Sequence, residues 1–326
     1  MSDNLLPFEK IERVVLVRKK SKTNSSYGKK PIDRTTEELI NSCAIALDKP
    51  KGPTSHQVAH WTKCVLDVSK AGQAGTLDPG VTGLLPIATD TATKILQVML
   101  TAGKEYICYM HIHDDIGANK IRKALHGFLG KIRQLPPVKS AVKREWRNRR
   151  IYYIDILEID GREVLFKVGC QAGTYIRKLC FDMGQALGCG AHMAQLIRTK
   201  SAGFKWEEKV TLQDLADAMH YYKKGDDKRL REVLLLPEEL VRHMPKIWVV
   251  DKAIDKLTRG VQLRAENISK VESQIQKEEQ VAIMSLKGEL VALAESRMTS
   301  KEMVEKTGVA SKMFRVIMEP EVYRKK

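Results

Sequence analysis

Gly75-Thr76-Leu77-Asp78-Pro79-Gly80-Val81-Thr82-Gly83 packs three glycines and one proline into nine positions. Such punctuation forces a tight loop in which backbone can approach a ligand closely. Pro79 steers Asp78 out of the helical region, so its carboxylate leaves the chain at a constrained angle. Alone, Asp-Pro-Gly is an ordinary turn sequence. What it means here depends on its flanks.

Upstream, Ala44-Ile45-Ala46-Leu47 is a short apolar run that ends at Lys49-Pro50, the pattern of a strand stopped by proline. Thr54 with Gln57 three residues on predicts a capped helix start, and Val58, Trp61 and Val65 continue it as a stripe. Downstream, residues 104–113 alternate, with Tyr106, Cys108, Met110 and Ile112 on one face of a half-buried strand. Ile121, Ala124, Leu125, Phe128 and Leu129 recur at helical spacing, with Gly130 as the stop. Strands are predicted over 151–159 and 164–170, joined at Asp160-Gly161, and a helix over 175–187 ending at Gly188. Strands mixed with helices without strict alternation indicate an α+β class, its sheet mixed and mainly antiparallel.

The outer segments differ in character. Residues 1–41 are basic and broken, with Arg18, Lys19, Lys20 and Lys22 close together, and 21–34 read as an extended, weakly structured arm. Residues 223–228 read as a solvated turn, and Pro245 marks a second boundary. Beyond it, short strands over 280–286, 289–294 and 314–318 predict a compact β-rich module. No internal repeat or low-complexity tract is evident.

Length and composition set the partner class. A chain of 326 residues fits two domains. Its 56 Lys plus Arg against 40 Asp plus Glu give a formal charge of +16, which favours a polyanion partner. No run of roughly 18 apolar residues exists, which argues against a membrane helix. The N-terminus lacks the apolar core and small-residue site of an export signal. Six scattered cysteines without a Cys-x-x-Cys pair support neither a zinc knuckle nor a disulfide framework, so an intracellular setting is expected.

Four further motifs keep the loop company: Lys49-Pro50-Lys51-Gly52-Pro53-Thr54-Ser55, Gly103-Lys104-Glu105-Tyr106, Gly173-Thr174-Tyr175-Ile176-Arg177 and Leu196-Ile197-Arg198-Thr199. In this order and at these separations they resemble the TruB/dyskerin family of pseudouridine synthases. The resemblance runs from about Pro7 to the C-terminus, and residues 245–326 look like a PUA RNA-binding domain. The basic arm and short ends are most similar to the archaeal, H/ACA guide-RNA-dependent branch.

The resemblance implies a pseudouridine synthase fold with a small β-rich PUA pseudo-barrel. It divides the chain into an arm (1–41), a catalytic domain (42–244) and a PUA domain (245–326). The cleft would cross the sheet, walled by the Asp78 loop, with the PUA domain beside it and against the arm. Asp78 matches the family's essential nucleophile and Tyr106 the aromatic residue that stacks on the flipped base. Arg177 matches the arginine that pairs with the aspartate. Tyr175 and Leu196 match residues lining the uracil pocket, and Lys51 a supporting lysine. No organic cofactor or metal is implied. The implied partners are an H/ACA guide RNA, rRNA and tRNA, with zinc-ribbon, glycine/arginine-rich-type and kink-turn-binding accessory proteins. The setting would be the cytoplasm of an archaeal cell, or the nucleolus in a eukaryote.

These residue types suit the chemistry. A positioned carboxylate serves as nucleophile without a metal or group donor. Burial beside a base raises a carboxyl above its reference of about 3.9, and an adjacent guanidinium lowers it. An Asp78–Arg177 pair would therefore keep the nucleophile charged in a dry pocket. Residues 139–150 carry six basic residues and one acid. They read as an Arg-rich loop in which Lys143, Arg144, Arg147, Arg149 and Arg150 contact phosphates.

Other readings were weighed. His56 and His60 have zinc-helix spacing, but Gln57 stands where H-E-x-x-H needs glutamate. His111-Ile112-His113-Asp114-Asp115 has no further ligand cluster in sequence, so both groups read as structural or surface histidines. A methyltransferase or deaminase lacks its Gly-rich cofactor loop or His/Cys zinc set. The rival within the fold is a catalytically silent RNA-binding scaffold. Gln73 invites it, standing where the family usually has histidine. Ser201-Ala202-Gly203 and Gly260-Val261-Gln262-Leu263 also depart from the usual Ser-Gly-Pro and Gly-Ala-Asp-Leu.

Overall fold

The computed structural model describes residues 4–136 and 143–324. Two sheets organise it. The first has a path of seven strands: Ala44–Lys49, Thr82–Thr89, Ala191–Ser201, Lys104–Ile112, Glu163–Cys170, Arg147–Asp160 and Gly130–Gln134. Ala71–Gln73 and Phe204–Lys205 add to it off this path. Only the Thr82–Thr89/Ala191–Ser201 neighbours run parallel, so the sheet is mixed and mainly antiparallel, as expected.

The alternation in Lys104–Ile112 places Tyr106, Cys108, Met110 and Ile112 in the core. They pack with Ile176, Leu179, Cys180, Met183 and Leu187 from the apolar face of the helix Ile176–Leu187. Each fully buried side chain of this size contributes roughly 1.5–3 kcal/mol relative to exposure. Gly188 ends that helix in the left-handed region, φ 82°. Within the helix, a Cβ on Gly184 would lie 2.0 Å from the Ala191 nitrogen, so only glycine lets helix and strand close this tightly.

Several expectations need correction. Thr54 and Gln57 do cap the helix Ser55–Leu66, but Trp61 points outward, 43% exposed. The buried face is instead Ser55, Val58, Ala59, Thr62 and Leu66. Small residues fit against the sheet, and the Ser55 and Thr62 hydroxyls satisfy themselves on main-chain oxygens. The helix Ala118–His126 ends at Gly127, and successive turns carry Phe128 and Leu129 beyond it. Gly130, φ 86°, opens a strand rather than stopping a helix.

The second sheet runs Val15–Val17, Ile268–Glu272, Lys246–Val249, Gln280–Met284, Leu290–Ser296, Val309–Val316 and Leu263–Arg264. Its last long strand starts five residues before the expected 314, because the small residues Ala310 and Ser311 are already buried. Residues 15–17 of the basic arm are an edge strand of this sheet, not a neighbour packed against it. Residues 21–34 lack a strand but are pinned: Asn24 N–H donates to Asp251 at 2.8 Å, and Arg34 grips Glu238 by two bonds of 2.7 Å. A shared core joins the sheets, with Phe204, Leu240 and Met244 between Leu84 on one side and Met284 and Leu293 on the other. Among the described residues no helix is long and apolar enough to cross a membrane.

Candidate active site

The loop between Gln73 and Thr82 is fastened along its length. Leu77 and Val81 are buried in the core of the first sheet. Between them, Asp78 accepts a bond from Val81 N–H at 3.0 Å across the Pro79-Gly80 turn. The buried Ser55 hydroxyl donates to Leu77 O at 3.1 Å and accepts from Leu77 N–H at 2.8 Å, which fixes the residue before Asp78. Lys49, fully buried, donates to Pro50 O, Pro79 O and Val81 O at 2.9, 3.2 and 2.8 Å. Burial pushes its ammonium pKa down, and the Asp78 carboxylate opposes the shift. Arg198 reaches the loop from another strand, donating to Gly75 O at 3.0 Å and Leu84 O at 2.7 Å.

Asp78 forms an ion pair with Arg177, which projects from the first turn of the helix Ile176–Leu187. The expected pair therefore exists, but not in a dry pocket: the two side chains are 55% and 57% exposed. The loop is an outward bend, so the carboxylate faces the open side of the sheet. Tyr106 and Leu196, each 8% exposed, lie in the apolar cluster with Leu77, Val81 and Ile176 beneath the pair. Burial pushes the Tyr106 phenol up, while the neighbouring Arg198 guanidinium pulls it down. Tyr175 is half-buried at the helix N-cap. Its N–H donates to Gln134 Oε1 at 3.0 Å and its C=O accepts from Gln134 Nε2 at 3.2 Å. Lys51 is exposed, and Lys49 is the lysine bonded to the loop.

The basic segment also differs from expectation. Residues 139–142 lie outside the described residues. Lys143 and Arg144 are exposed, whereas Arg147, Arg149 and Arg150 begin the long strand Arg147–Asp160. The loop reading fails because Gly130–Gln134 supplies an antiparallel partner, with Arg149 opposite Ile132 and Arg150 opposite Lys131. Arg149 Nε donates to Gly173 O at 3.0 Å, tying this strand to the Gly173–Arg177 motif. Arg133 stacks over the exposed Trp146 ring, 4.8 Å from its centre.

His111, His113 and His192 gather at the opposite end of the strand Lys104–Ile112. Among the described residues no group of three His, Cys, Asp or Glu side chains is placed to hold a metal ion. Gln73 donates to the Thr76 hydroxyl at 3.0 Å, and its Oε1 is buried with no partner among the described residues.

Lys49, Ser55, Gln134 and Arg198 were not singled out as site residues from sequence. Lys49, Ser55 and Arg198 sit inside the quoted motifs, which was the available signal. Gln134 carried none.

Residues 63–176 match the family described as "TruB family pseudouridylate synthase (N terminal domain)" and 177–242 the "tRNA pseudouridylate synthase B C-terminal domain". Residues 5–59 match a DKCLD (NUC011) domain and 245–317 a PUA domain. The chain is 49% identical over 325 residues to a probable tRNA pseudouridine synthase B of Methanopyrus kandleri, covering 99% of this chain and 96% of that protein. It is 47% identical to the like-named protein of Methanosarcina barkeri, covering 98% and 95%. The chain belongs to the TruB family.

Solved structures agree with that placement. A chain in a Cbf5-Nop10-Gar1 complex superposes with a TM-score of 0.94 at 46% identity, covering 99% of each chain. One in an H/ACA RNP bound to a substrate RNA containing 2'-deoxyuridine superposes with a TM-score of 0.92 at 43% identity, covering 98% of this chain and 99% of that one. As a TruB-family protein the chain is a pseudouridine synthase, an isomerase. A methyltransferase or deaminase reading falls away.

Proposed function

We propose that Asp78 is the nucleophile with which this protein converts uridine to pseudouridine in RNA. The ion pair with Arg177 carries the reading: it holds a carboxylate on a braced loop above an apolar floor. In the isomerisation the bond from ribose C1′ to uracil N1 breaks. The detached base turns and C1′ bonds to C5. The C5 proton is lost and N1 gains one, so no oxidant or group donor is needed. Arg177 keeps the carboxylate ionised. Tyr106 supplies a face for the flipped base, and Tyr175 and Leu196 complete its pocket. Taking the uridine out of its stack costs a few kcal/mol, which stacking helps to offset. Lys51 is assigned a supporting role at the cleft mouth.

Lys143, Arg144, Arg147, Arg149 and Arg150 contact the RNA backbone, and the excess positive charge supports this. The protein works as the catalytic subunit of an H/ACA ribonucleoprotein on rRNA and tRNA, and acts also on the tRNA T-loop. Likeness to chains solved with Nop10 and Gar1, and with substrate RNA, supports this. Zinc-ribbon, glycine/arginine-rich-type and kink-turn-binding proteins are its accessory partners. Residues 42–244 form its catalytic domain and 245–326 its PUA domain, and it acts in the cytoplasm.

The test is pseudouridine formation in a tRNA T-loop and in a guide-directed target, comparing wild type with Asp78→Ala. The expected result is product from wild type alone, with folded Asp78→Ala still binding RNA at an unchanged salt slope, since phosphate contacts elsewhere supply most of the affinity. Product from Asp78→Ala at the wild-type rate overturns the assignment of the nucleophile. No product from wild type, with guide and accessory proteins present, leaves a scaffold.

A further inference from the structure

Arg198 is only 1% exposed and is among the largest fully buried side chains. Burying a guanidinium is costly unless all its donors are engaged. Here the partners are main-chain carbonyls, not a carboxylate. Nε donates to Leu84 O at 2.7 Å and Nη2 to Gly75 O at 3.0 Å. These two oxygens flank the loop that carries Asp78, one at its entry and the other just past its exit. The guanidinium also bonds the Tyr106 hydroxyl.

The sheet brings these groups together. In the strand Ala191–Ser201, Arg198 lies beside Gly83 on one side and opposite Tyr106 on the other. A Cβ on Gly83 would sit 2.5 Å from Arg198 O and 2.7 Å from Arg198 N, so the strands approach here only because that residue is glycine. Lys49 binds the turn of the same loop at Pro79 and Val81. Among the described residues, Arg198 is the side chain that bonds both the loop and Tyr106.

We propose that Arg198 is a positioning residue for the reaction, holding the Asp78 loop and the Tyr106 ring at a fixed separation. Nucleophile and stacking face then move as one unit when RNA binds. The inference rests on Asp78 as nucleophile and Tyr106 as the base-stacking residue. A misplacement of about 1 Å between reacting groups costs on the order of 100-fold in rate. Lysine at 198 keeps the charge but cannot bridge Leu84, Gly75 and Tyr106 together.

The experiment compares full-length wild type, Arg198→Lys and Asp78→Asn. It measures single-turnover pseudouridine formation per folded molecule and, separately, RNA affinity. For Arg198→Lys we expect a loss of about 100-fold in the rate constant, with affinity within about twofold. A merely structural role would lower the melting temperature and leave the rate constant of the folded fraction unchanged, and that result overturns the proposal. If Arg198→Lys does not fold, Tyr106→Phe carries the test, because it deletes only the hydroxyl that Arg198 meets. A loss of about tenfold in rate supports the coupling, and a rate equal to wild type overturns it. Asp78→Asn separates the two failures. An inactive Asp78→Asn beside a fully active Arg198→Lys sinks only this inference. A fully active Asp78→Asn sinks the nucleophile assignment beneath it.

Discussion

Asp78 and Arg177, 99 positions apart in the chain, meet as an ion pair between the braced loop and the first turn of the helix Ile176–Leu187. Both side chains are more than half exposed, so the pair contributes only about 0–1 kcal/mol to stability. Its value lies in chemistry. Arg177→Met should therefore leave the melting temperature nearly unchanged while lowering the single-turnover rate by about 100-fold or more. A parallel loss of stability and rate would show that the pair braces the fold instead.

Gln134 offers the opposite balance. It is 1% exposed, and its amide bonds both the N–H and the C=O of Tyr175. Gln134→Leu leaves two backbone groups unpaired, at a cost of about 1–3 kcal/mol in urea unfolding. Tyr175 begins the helix that presents Arg177, so turnover should fall too. Unchanged stability would mean that water replaces the amide without loss.

The arginines of the strand Arg147–Asp160 should separate by side-chain contact. Arg150 is exposed, whereas Arg149 is bonded to Gly173 O. Arg150→Ala should weaken RNA binding and reduce the salt slope by about 1 without changing the rate of bound complex. Arg149→Ala should lower that rate as well, because it releases the turn before Tyr175. Identical behaviour of the two variants would argue against this division.

Acid should act through His243. Burial lowers its pKa to about 4, with the bond to Val98 O opposing. The folded state thus binds the proton less readily than the unfolded chain, where the reference is about 6.5. The stability associated with neutral His243 is present above pH 6.5 and lost as pH falls towards 4. The loss should reach roughly 1–3 kcal/mol after allowance for solvent screening. Comparing urea midpoints at pH 7 and 4.5, His243→Gln should lose less than wild type. Equal losses would assign the acid sensitivity to other groups.

The readable parts of this chain were those with local periodicity. Strand Lys104–Ile112 keeps a clean two-residue alternation, and helix Ile176–Leu187 carries both its stripe and its closing glycine. Strand Ala191–Ser201 was hidden because a central strand here buries Arg198, Thr199 and Ser201 among its apolar residues. Lys49 and Arg198 could not be read as buried cations, since their partners are carbonyls brought in by distant strands. The Asp78–Arg177 pair came from motif resemblance. Nothing local in either segment points to the other, and nothing in sequence revealed how open the pair would be.

The pairing of Val15–Val17 with Lys270, Val271 and Glu272 also imposes an order of events during synthesis. The edge strand is among the first segments to leave the ribosome, and its partner emerges some 250 residues later. At about 5–20 residues per second, that is a wait of roughly 10–50 s. Throughout that interval a basic strand edge, carrying the charge that suits the finished protein to RNA, stands unpaired in a milieu rich in RNA. Translation speed, and whatever shields the first twenty residues, therefore bear on the yield of active protein alongside the strength of the completed sheet.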